Sequence, residues 1–398
     1  MKILLIGSNF PRSYDDPLVS GIVKNAFNHG RSLAELGVSV DVITDGGRGQ
    51  WIFAGMHIYG IGAGLAKGVL RAAHLDVKVA LKFMSLRKKE YDVIHVHTGN
   101  VVLLFLLKKI GLFSANIVYT AHGTTTPEIA ASVHTKQSWR DKLVSVNGKI
   151  QEWIDRSMWK WSNSLISVSM FQLKEMRAIY GVAEDKIFQI YNGFDSERYY
   201  PDTVAGRARR YSLGISNSAP VVLYVGRAAR KKGIDLLITA APALVAIRPD
   251  ISIVCVTGDM GKGFDAPYVR EIYRLAQEST VSKNIRIVSN VSEANLPSFY
   301  QMANVAVFPS RHYESLPTVI YEAAACGLPV ITPQAWGIPE VLSETLLSEN
   351  SFQDTRLVDA IIEAIDSKAI SRLLPSNDEY TWSSLAKKYL KLYESFGK

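Results

Sequence analysis

The chain has 398 residues, 47% of them apolar and 21% charged; that is globular, and too long for one ordinary core, so two domains are expected. A net charge of +8 asks for an acidic partner: a nucleotide's phosphates, an anionic lipid surface or nucleic acid. Nucleic acid ranks last, since no recognition-helix, zinc-finger or RNP pattern occurs, and the apolar run Val101–Leu107 is far too short to span a bilayer.

The opening MKILLIG is too short and too soon polar for a signal peptide. The first half then alternates apolar runs with helical patterns. Strands are expected at Lys2–Ile6, Ser39–Ile43, Val93–Val96, Ile117–Thr120, Leu165–Val168 and Ile187–Ile190, with helices at Lys24–Leu36, Leu65–Arg87 and Trp139–Trp161. Continuous apolar strands separated by helices mark a parallel sheet covered on both faces. The polar, Arg-rich segment Asp195–Asn217 reads as a linker. The rhythm restarts with strands at Val221–Val225, Ile251–Val256, Ile285–Val288, Val305–Phe308 and Val330–Thr332. Helices Gly233–Ile247, Val269–Gln277, Leu296–Met302 and Pro317–Cys326 lie between them. Cys255 and Cys326 sit in apolar runs without metal-ligand spacing and read as reduced, buried thiols of a cytoplasmic protein. The fold class is therefore α/β, with two doubly wound parallel-sheet domains whose ligands lie at the carboxyl ends of the strands, in the cleft between them.

After the first strand of the second half, the loop Gly226–Gly233 carries Arg227, Arg230, Lys231 and Lys232. A helix start favours an anion. Arg227 can grip a phosphate bidentately and Lys232 adds a compact charge beside it, balancing a diphosphate without a metal; a basic surface loop is the other reading. Further on, Glu314 precedes Pro317, which suits a first helical turn. Glu322 lies about 7 Å along that helix at 1.5 Å per residue. A diphosphate near Ser315, Leu316 and Thr318 then leaves a ribose within reach of Glu322, with Glu314 on the sugar side. The apolar flanks Val319, Ile320 and Ala323–Ala325 argue that Glu322 is buried rather than on a surface helix.

These residues resemble a known pattern. Glu314–Glu322 is similar to the E-x7-E motif of the retaining GT-B glycosyltransferases of family 4, and Gly226-Arg227…Lys232-Gly233 resembles their G-R-x4-K-G loop. Glu322-Ala323…Cys326-Gly327-Leu328-Pro329-Val330 resembles their E-A-x-A-x-G-x-P-V run; Trp336-Gly337-Ile338-Pro339-Glu340 resembles their G-G-x-P-E turn, with Trp336 in place of the first glycine. Thr257-Gly258-Asp259…Gly261 is an imperfect match to the loop near the base, which makes Gly258 a donor-binding candidate. The resemblance implies two Rossmann-like domains: residues 1–194 binding the acceptor, residues 195–379 binding a nucleotide sugar, and an amphipathic segment 380–398 crossing back onto the first. It also implies that Tyr191–Asp195, like P-N-G-V-D, is a hinge; Asn192 and Gly193 tolerate the unusual dihedrals a hinge needs.

In the first half, Ser20-Gly21 is similar to the family's Gly-Gly loop, which meets the diphosphate, so Gly21 joins the donor-binding set, although alone it reads as an ordinary strand–helix turn. His122 in Thr120-Ala121-His122 matches the histidine near the donor sugar; a structural histidine is the competing reading. His95 and His97 share one strand face and with His122 could in principle ligate zinc, but no acidic or thiolate residue stands nearby and the family needs no metal, so they are expected to shape the acceptor pocket or the strand end. Basic, aromatic stretches at Leu65–Lys89 and Trp139–Trp161 could lie on an anionic membrane or be solvated helix faces. By resemblance, a sugar moves from a nucleoside diphosphate (UDP before GDP) to a hydroxyl of a glycan, lipid or small molecule with retention, no cofactor and no metal. Arg227 and Lys232 stabilise the leaving diphosphate. The alternatives are a GT-B nucleotide-sugar epimerase or phosphorylase, the latter lacking a pyridoxal-binding lysine context, and a non-catalytic sugar-nucleotide or membrane-binding module.

Overall fold

A computed structural model describes residues 1–16, 20–62, 68–97, 101–123, 152–258, 266–311, 313–343, 346–347, 356–367, 370–374 and 376–397. Leu65–Lys67, Trp139–Gln151, Asp259 and Gly261, named above, lie outside the described residues. The chain divides into two compact units: Met1–Ser13, Ser20–Asn192 and Trp382–Lys398 form one; Tyr14–Val19 and Gly193–Thr381 form the other.

The first unit holds β1 Lys2–Gly7, β2 Ser39–Thr44, β3 Arg48–Phe53, β4 Met56–Ile61, β5 Val93–Val96, β6 Asn116–Ala121, β7 Ser164–Ser167 and β8 Ile187–Gln189. They form one sheet in the order β3-β4-β2-β1-β5-β6-β7-β8, parallel throughout except for β3 and β4. The hairpin of β3 and β4 was not expected. Ala54 and Gly55 join Phe53 to its partner Met56 with φ of 50° and 76°, the paired left-handed residues of a type I′ turn. An alanine in that conformation carries no turn signal, which is why the sequence reading passes over it. Helices Val102–Lys109 and Met170–Tyr180 also add to the expected set.

The second unit holds β9 Val221–Val225, β10 Ser252–Thr257, β11 Ile285–Ser289, β12 Val305–Val307, β13 Val330–Pro333 and β15 Leu346–Leu347, with β14 Leu342–Ser343 and β16 Arg372–Leu373 as a separate antiparallel pair. Its main sheet is parallel, in the order β11-β10-β9-β12-β13-β15. Leu237, Ile238, Ala241 and Leu244 of helix Ile234–Ile247 pack in one cluster with Val222, Ile253 and Val305 of the sheet. Both large sheets are wound in two directions from their first strand. Each therefore has a switch point at the carboxyl ends of its central strands, β1 beside β5 and β9 beside β12, where α/β folds bind ligands.

Asp195–Asn217 is not a linker. Asp202 caps helix Thr203–Ser212, accepting from the N–H groups of Val204 and Ala205 at 2.9 and 3.0 Å. That helix lies so close to helix Leu296–Met302 that a Cβ on Gly206 would meet the Gln301 carbonyl oxygen at 2.3 Å. Buried Arg210 donates to the carbonyls of Met302 and Ala219 at 2.9 and 2.6 Å and to Asn304 Oδ1 at 2.8 Å. Its guanidinium ties backbone together, a role that composition alone cannot distinguish from a solvated charge.

Nor does Tyr191–Asp195 use unusual dihedrals: neither Asn192 nor Gly193 has a positive φ. Asn192 accepts from Asn25 Nδ2 at 2.7 Å. On the amphipathic helix Trp382–Glu394, Trp382, Leu385, Tyr389 and Leu392 are buried, and the Tyr389 ring lies 3.9 Å from that of His29 on helix Gly21–Glu35. Several cations of Leu65–Lys89 are engaged within the chain: Lys78 donates to the carbonyls of Ile61 and Gly62, Lys89 pairs with Asp41 at 2.6 Å, and Arg71 reaches Asp45 at 3.5 Å. No helix among the described residues is long and apolar enough to cross a membrane.

Candidate active site

At the β9/β12 switch point two loops are locked together. Between β9 and helix Ile234–Ile247, the chain makes a single 3-10 turn over Arg230–Lys232 and enters the helix through Gly233 at φ 70°. A Cβ there would sit 1.9 Å from the Pro309 carbonyl oxygen, so only glycine lets the loop after β12 approach. Arg311 closes the contact. Its N–H donates to the Lys231 carbonyl at 2.9 Å, and its guanidinium grips Asp235 bidentately at 2.6 and 2.7 Å. The Asp235 carboxyl is held below its usual pKa because Arg311 and Tyr268 donate to it, which outweighs the opposing effect of burial.

This clamp brings Lys232 and Glu314 together as an ion pair, with Ser310 Oγ donating to the same carboxylate oxygen at 3.3 Å. Of the other cations of the loop, Arg230 is held by Glu271 at 2.7 Å. Arg227 is exposed, and its guanidinium makes no hydrogen bond or ion pair among the described residues. Gly226 continues the strand, its N–H donating to the Val256 carbonyl at 3.0 Å.

The helix after Glu314 spans Thr318–Ala325, with Pro317 one position earlier than expected, as the N-cap. Ser315, Leu316 and Thr318 are buried at its start. Glu322 is 1% exposed, which settles the surface-helix alternative against it. Tyr300, fully buried on helix Leu296–Met302, donates to its Oε2 at 2.7 Å; a buried carboxylate needs such a partner. Sequence reasoning missed Tyr300 because nothing in the spacing of Tyr300 and Glu322 announces a contact between two helices. Gly258 directly follows β10, with open space where a side chain would stand. Trp336 takes the left-handed conformation, φ 58°, which a glycine would adopt without strain.

In the first unit, Ser20 caps helix Gly21–Glu35, accepting from the Val23 N–H at 3.3 Å, and Gly21 is exposed at its first position. His122, half-buried just past β6, stands 3.2 Å from His97, Nε2 to Nδ1. The tight histidine cluster differs from the expected one: His29, His95 and His97, not His122, place ligand atoms within 4.8 Å of one another, all buried. Those three could hold a metal ion, yet each of their ring nitrogens already has a hydrogen-bond partner. His29 escaped the sequence reading because a lone histidine within a helix carries no local signal. Of the two expectations for them, the strand end fits: both are buried, His95 against Tyr389 and Tyr393, and His97 among His29, His95 and His122. Burial pushes His29 and His122 down to about 3 and holds His95 and His97 well below the ordinary histidine value, so all four rings are neutral at pH 7.

Comparison with known proteins agrees with this architecture. Residues 207–379 match the family described as Glycosyl transferases group 1, and residues 19–198 match Glycosyltransferase Family 4. A D-inositol 3-phosphate glycosyltransferase of Corynebacterium urealyticum is 28% identical over 92% of this chain and 89% of its own length. Among solved structures, sucrose-phosphate synthase from Thermosynechococcus elongatus superposes with a TM-score of 0.79 at 23% identity, covering 100% of this chain and 99% of that one. HepE of Anabaena, in complex with UDP and glucose, gives 0.67 at 19% identity over 99% and 100%. With both halves matched in order, the chain belongs to the GT-B glycosyltransferases of family 4, glycosyl transferases group 1.

Proposed function

We propose that this glycosyltransferase uses a nucleoside-diphosphate sugar, UDP in preference to GDP, and transfers its sugar with retention and without a metal to a hydroxyl of a glycan, lipid or small molecule. The observation that carries the proposal is the Lys232–Glu314 pair at the β9/β12 switch point, clamped by Gly233 and Arg311 beside the start of helix Thr318–Ala325. The pair is part-buried, with side-chain exposures of 22% and 11%. A diphosphate that takes Lys232 from Glu314 gives the ammonium a new anionic partner in place of the old one, which leaves Glu314 to accept a hydrogen bond from the sugar. Arg227, exposed on the same loop, supplies the second cation.

In the reaction the acceptor oxygen bonds to the anomeric carbon on the face the diphosphate leaves. The bond from that carbon to the diphosphate oxygen breaks, and the acceptor proton passes to the departing phosphate. Lys232 and Arg227 neutralise the charge as it grows, Glu322 holds the ribose hydroxyls, His122 meets the sugar, and Gly21, Gly226, Ser315, Leu316, Thr318 and Gly258 shape the donor site. The bound UDP and glucose of the Anabaena neighbour support the uridine donor, and the sugar- and inositol-phosphate relatives support small phosphorylated acceptors. The intrachain partners of Lys78, Lys89 and Arg71 favour a cytoplasmic protein over one held on a membrane by that stretch.

A thermal-shift panel of UDP-, GDP- and ADP-sugars identifies the donor, because a ligand of the folded state raises stability with occupancy. Nucleoside diphosphate released only on addition of an acceptor separates transfer from epimerisation and from silent binding, and the anomeric coupling constant of the product tests retention. Full transfer by Lys232→Ala would overturn the proposal.

A further inference from the structure

Six side chains from four stretches of the first unit form one unbroken hydrogen-bonded file. His122 Nε2 is 3.2 Å from His97 Nδ1, and His97 Nε2 is 2.8 Å from His29 Nδ1. His29 Nε2 is 3.0 Å from the Tyr393 hydroxyl, which in turn bonds His95 Nδ1. His95 Nε2 ends the file 2.6 Å from Thr120 Oγ1. The rings are wedged in place: His95 and His97 stack at 4.4 Å and 6°, and His29 lies on Tyr389. Apart from half-buried His122, every member is buried.

A neutral imidazole donates from one nitrogen and accepts at the other. With all four rings neutral, the direction of any one bond dictates the direction of the next. If His122 Nε2 carries the proton, each ring passes a donor onward and His95 Nε2–H ends on Thr120. If Thr120 donates instead, every bond reverses and His122 carries its proton on Nδ1. A mixed file would set two donors, or two lone pairs, face to face in the interior, where an unpaired polar group is costly. The tautomer of His122 is thus coupled to a hydroxyl on the C-terminal helix, although the two residues do not touch.

We infer that Tyr393, with His29, His95 and His97, is a positioning residue whose hydroxyl completes a file in which His122 changes tautomer only if all five bonds reverse together, so that the hydrogen-bonding character Nδ1 presents to the bound sugar is set by the file. The functional half of this inference rests on the reading of His122 given above; the tautomer half does not.

The experiment is ring-nitrogen NMR of the full chain labelled with 15N-histidine, in which protonated and bare nitrogens are resolved, on the wild type, Tyr393→Phe and Tyr91→Phe. Tyr91 is the matched control: it is buried in the same unit, and its hydroxyl donates to Asp41 at 2.5 Å, away from the file. In the wild type and Tyr91→Phe the His122 nitrogens are expected to be unaveraged, each either protonated or bare, and in Tyr393→Phe an average of the two. Tyr393→Phe should also lower kcat about tenfold, in line with other residues that fix a histidine from behind, while leaving the donor KM within about twofold. If Tyr393→Phe does not fold, Thr120→Val removes the far end of the file and should alter His122 in the same way. The inference is overturned if wild-type His122 is already averaged, if the file-breaking variant leaves His122 unchanged, or if metal analysis finds an ion on the cluster. Should the tautomer respond while His122→Ala keeps full transfer, the file stands and the catalytic reading of His122 falls.

Discussion

Gly233→Ala perturbs the one position where backbone shape and loop docking coincide. Its φ of 70° costs an alanine about 1–2 kcal/mol in the left-handed region. The new methyl would also lie 1.9 Å from the Pro309 oxygen, well inside van der Waals contact and against backbone that cannot swing aside, so a further loss of about 1–3 kcal/mol is expected. Relief requires the two loops to part by roughly 1 Å, and that gap falls between Lys232 and Glu314. A misplacement of this size costs about 10²-fold in rate. Gly214→Ala is the internal control, since its φ is 64° but nothing lies within 4 Å of the added methyl. It should lose about 1 kcal/mol of stability and no activity. Urea unfolding and steady-state transfer on both variants make the comparison. If Gly233→Ala unfolds at the same urea concentration as Gly214→Ala and keeps its kcat/KM, the locked loops do not set the site.

Three further outcomes follow from the same geometry. Tyr300→Phe removes the hydroxyl that bonds Glu322; it should destabilise the fold by about 1–3 kcal/mol and raise the donor KM, as read by urea unfolding and by kinetics against donor concentration. Ala54→Asn, in the left-handed first position of the hairpin turn, should stabilise by about 1 kcal/mol, seen as a higher Tm without change in activity. Between the unfolded-state histidine pKa near 6.5 and the depressed folded values, about 3 for His29 and His122, only the unfolded chain takes up protons on these rings. Stability is therefore fully present above about pH 6.5 and falls as pH drops, each such histidine adding about 1.4 kcal/mol per pH unit to the slope. A urea midpoint that stays level from pH 7 to pH 5 would show that the rings are not held neutral.

The local half of the problem could be read along the chain. Uninterrupted apolar runs such as Val221–Val225 and Ile3–Ile6 read as doubly covered parallel strands, and both lie in strands of the structure. Glu314, Pro317 and Glu322 lie within one loop-and-helix, so their spacing carried their relation to one another. Gly226, Arg227, Lys232 and Gly233 did the same for the cationic loop. Where the expectation failed, an ambiguous residue type was decided by a distant neighbour: Arg210 in the presumed linker ties backbone carbonyls, and Ala54 is forced into a turn by the pairing of β3 with β4.

The sequence by itself thus determined the parallel two-unit fold, the loop that carries the cations and the helix that carries Glu322. Tertiary structure alone decided that Lys232 meets Glu314 across 82 residues, that Tyr300 answers Glu322, and that Tyr393 joins His29 and His95 from the far end of the chain. The division has a physical cause. Periodicity and capping act over a few residues and leave a mark in local order. Hydrogen-bond partners of buried groups are chosen by whichever element the packed core sets beside them, and that choice leaves no local trace.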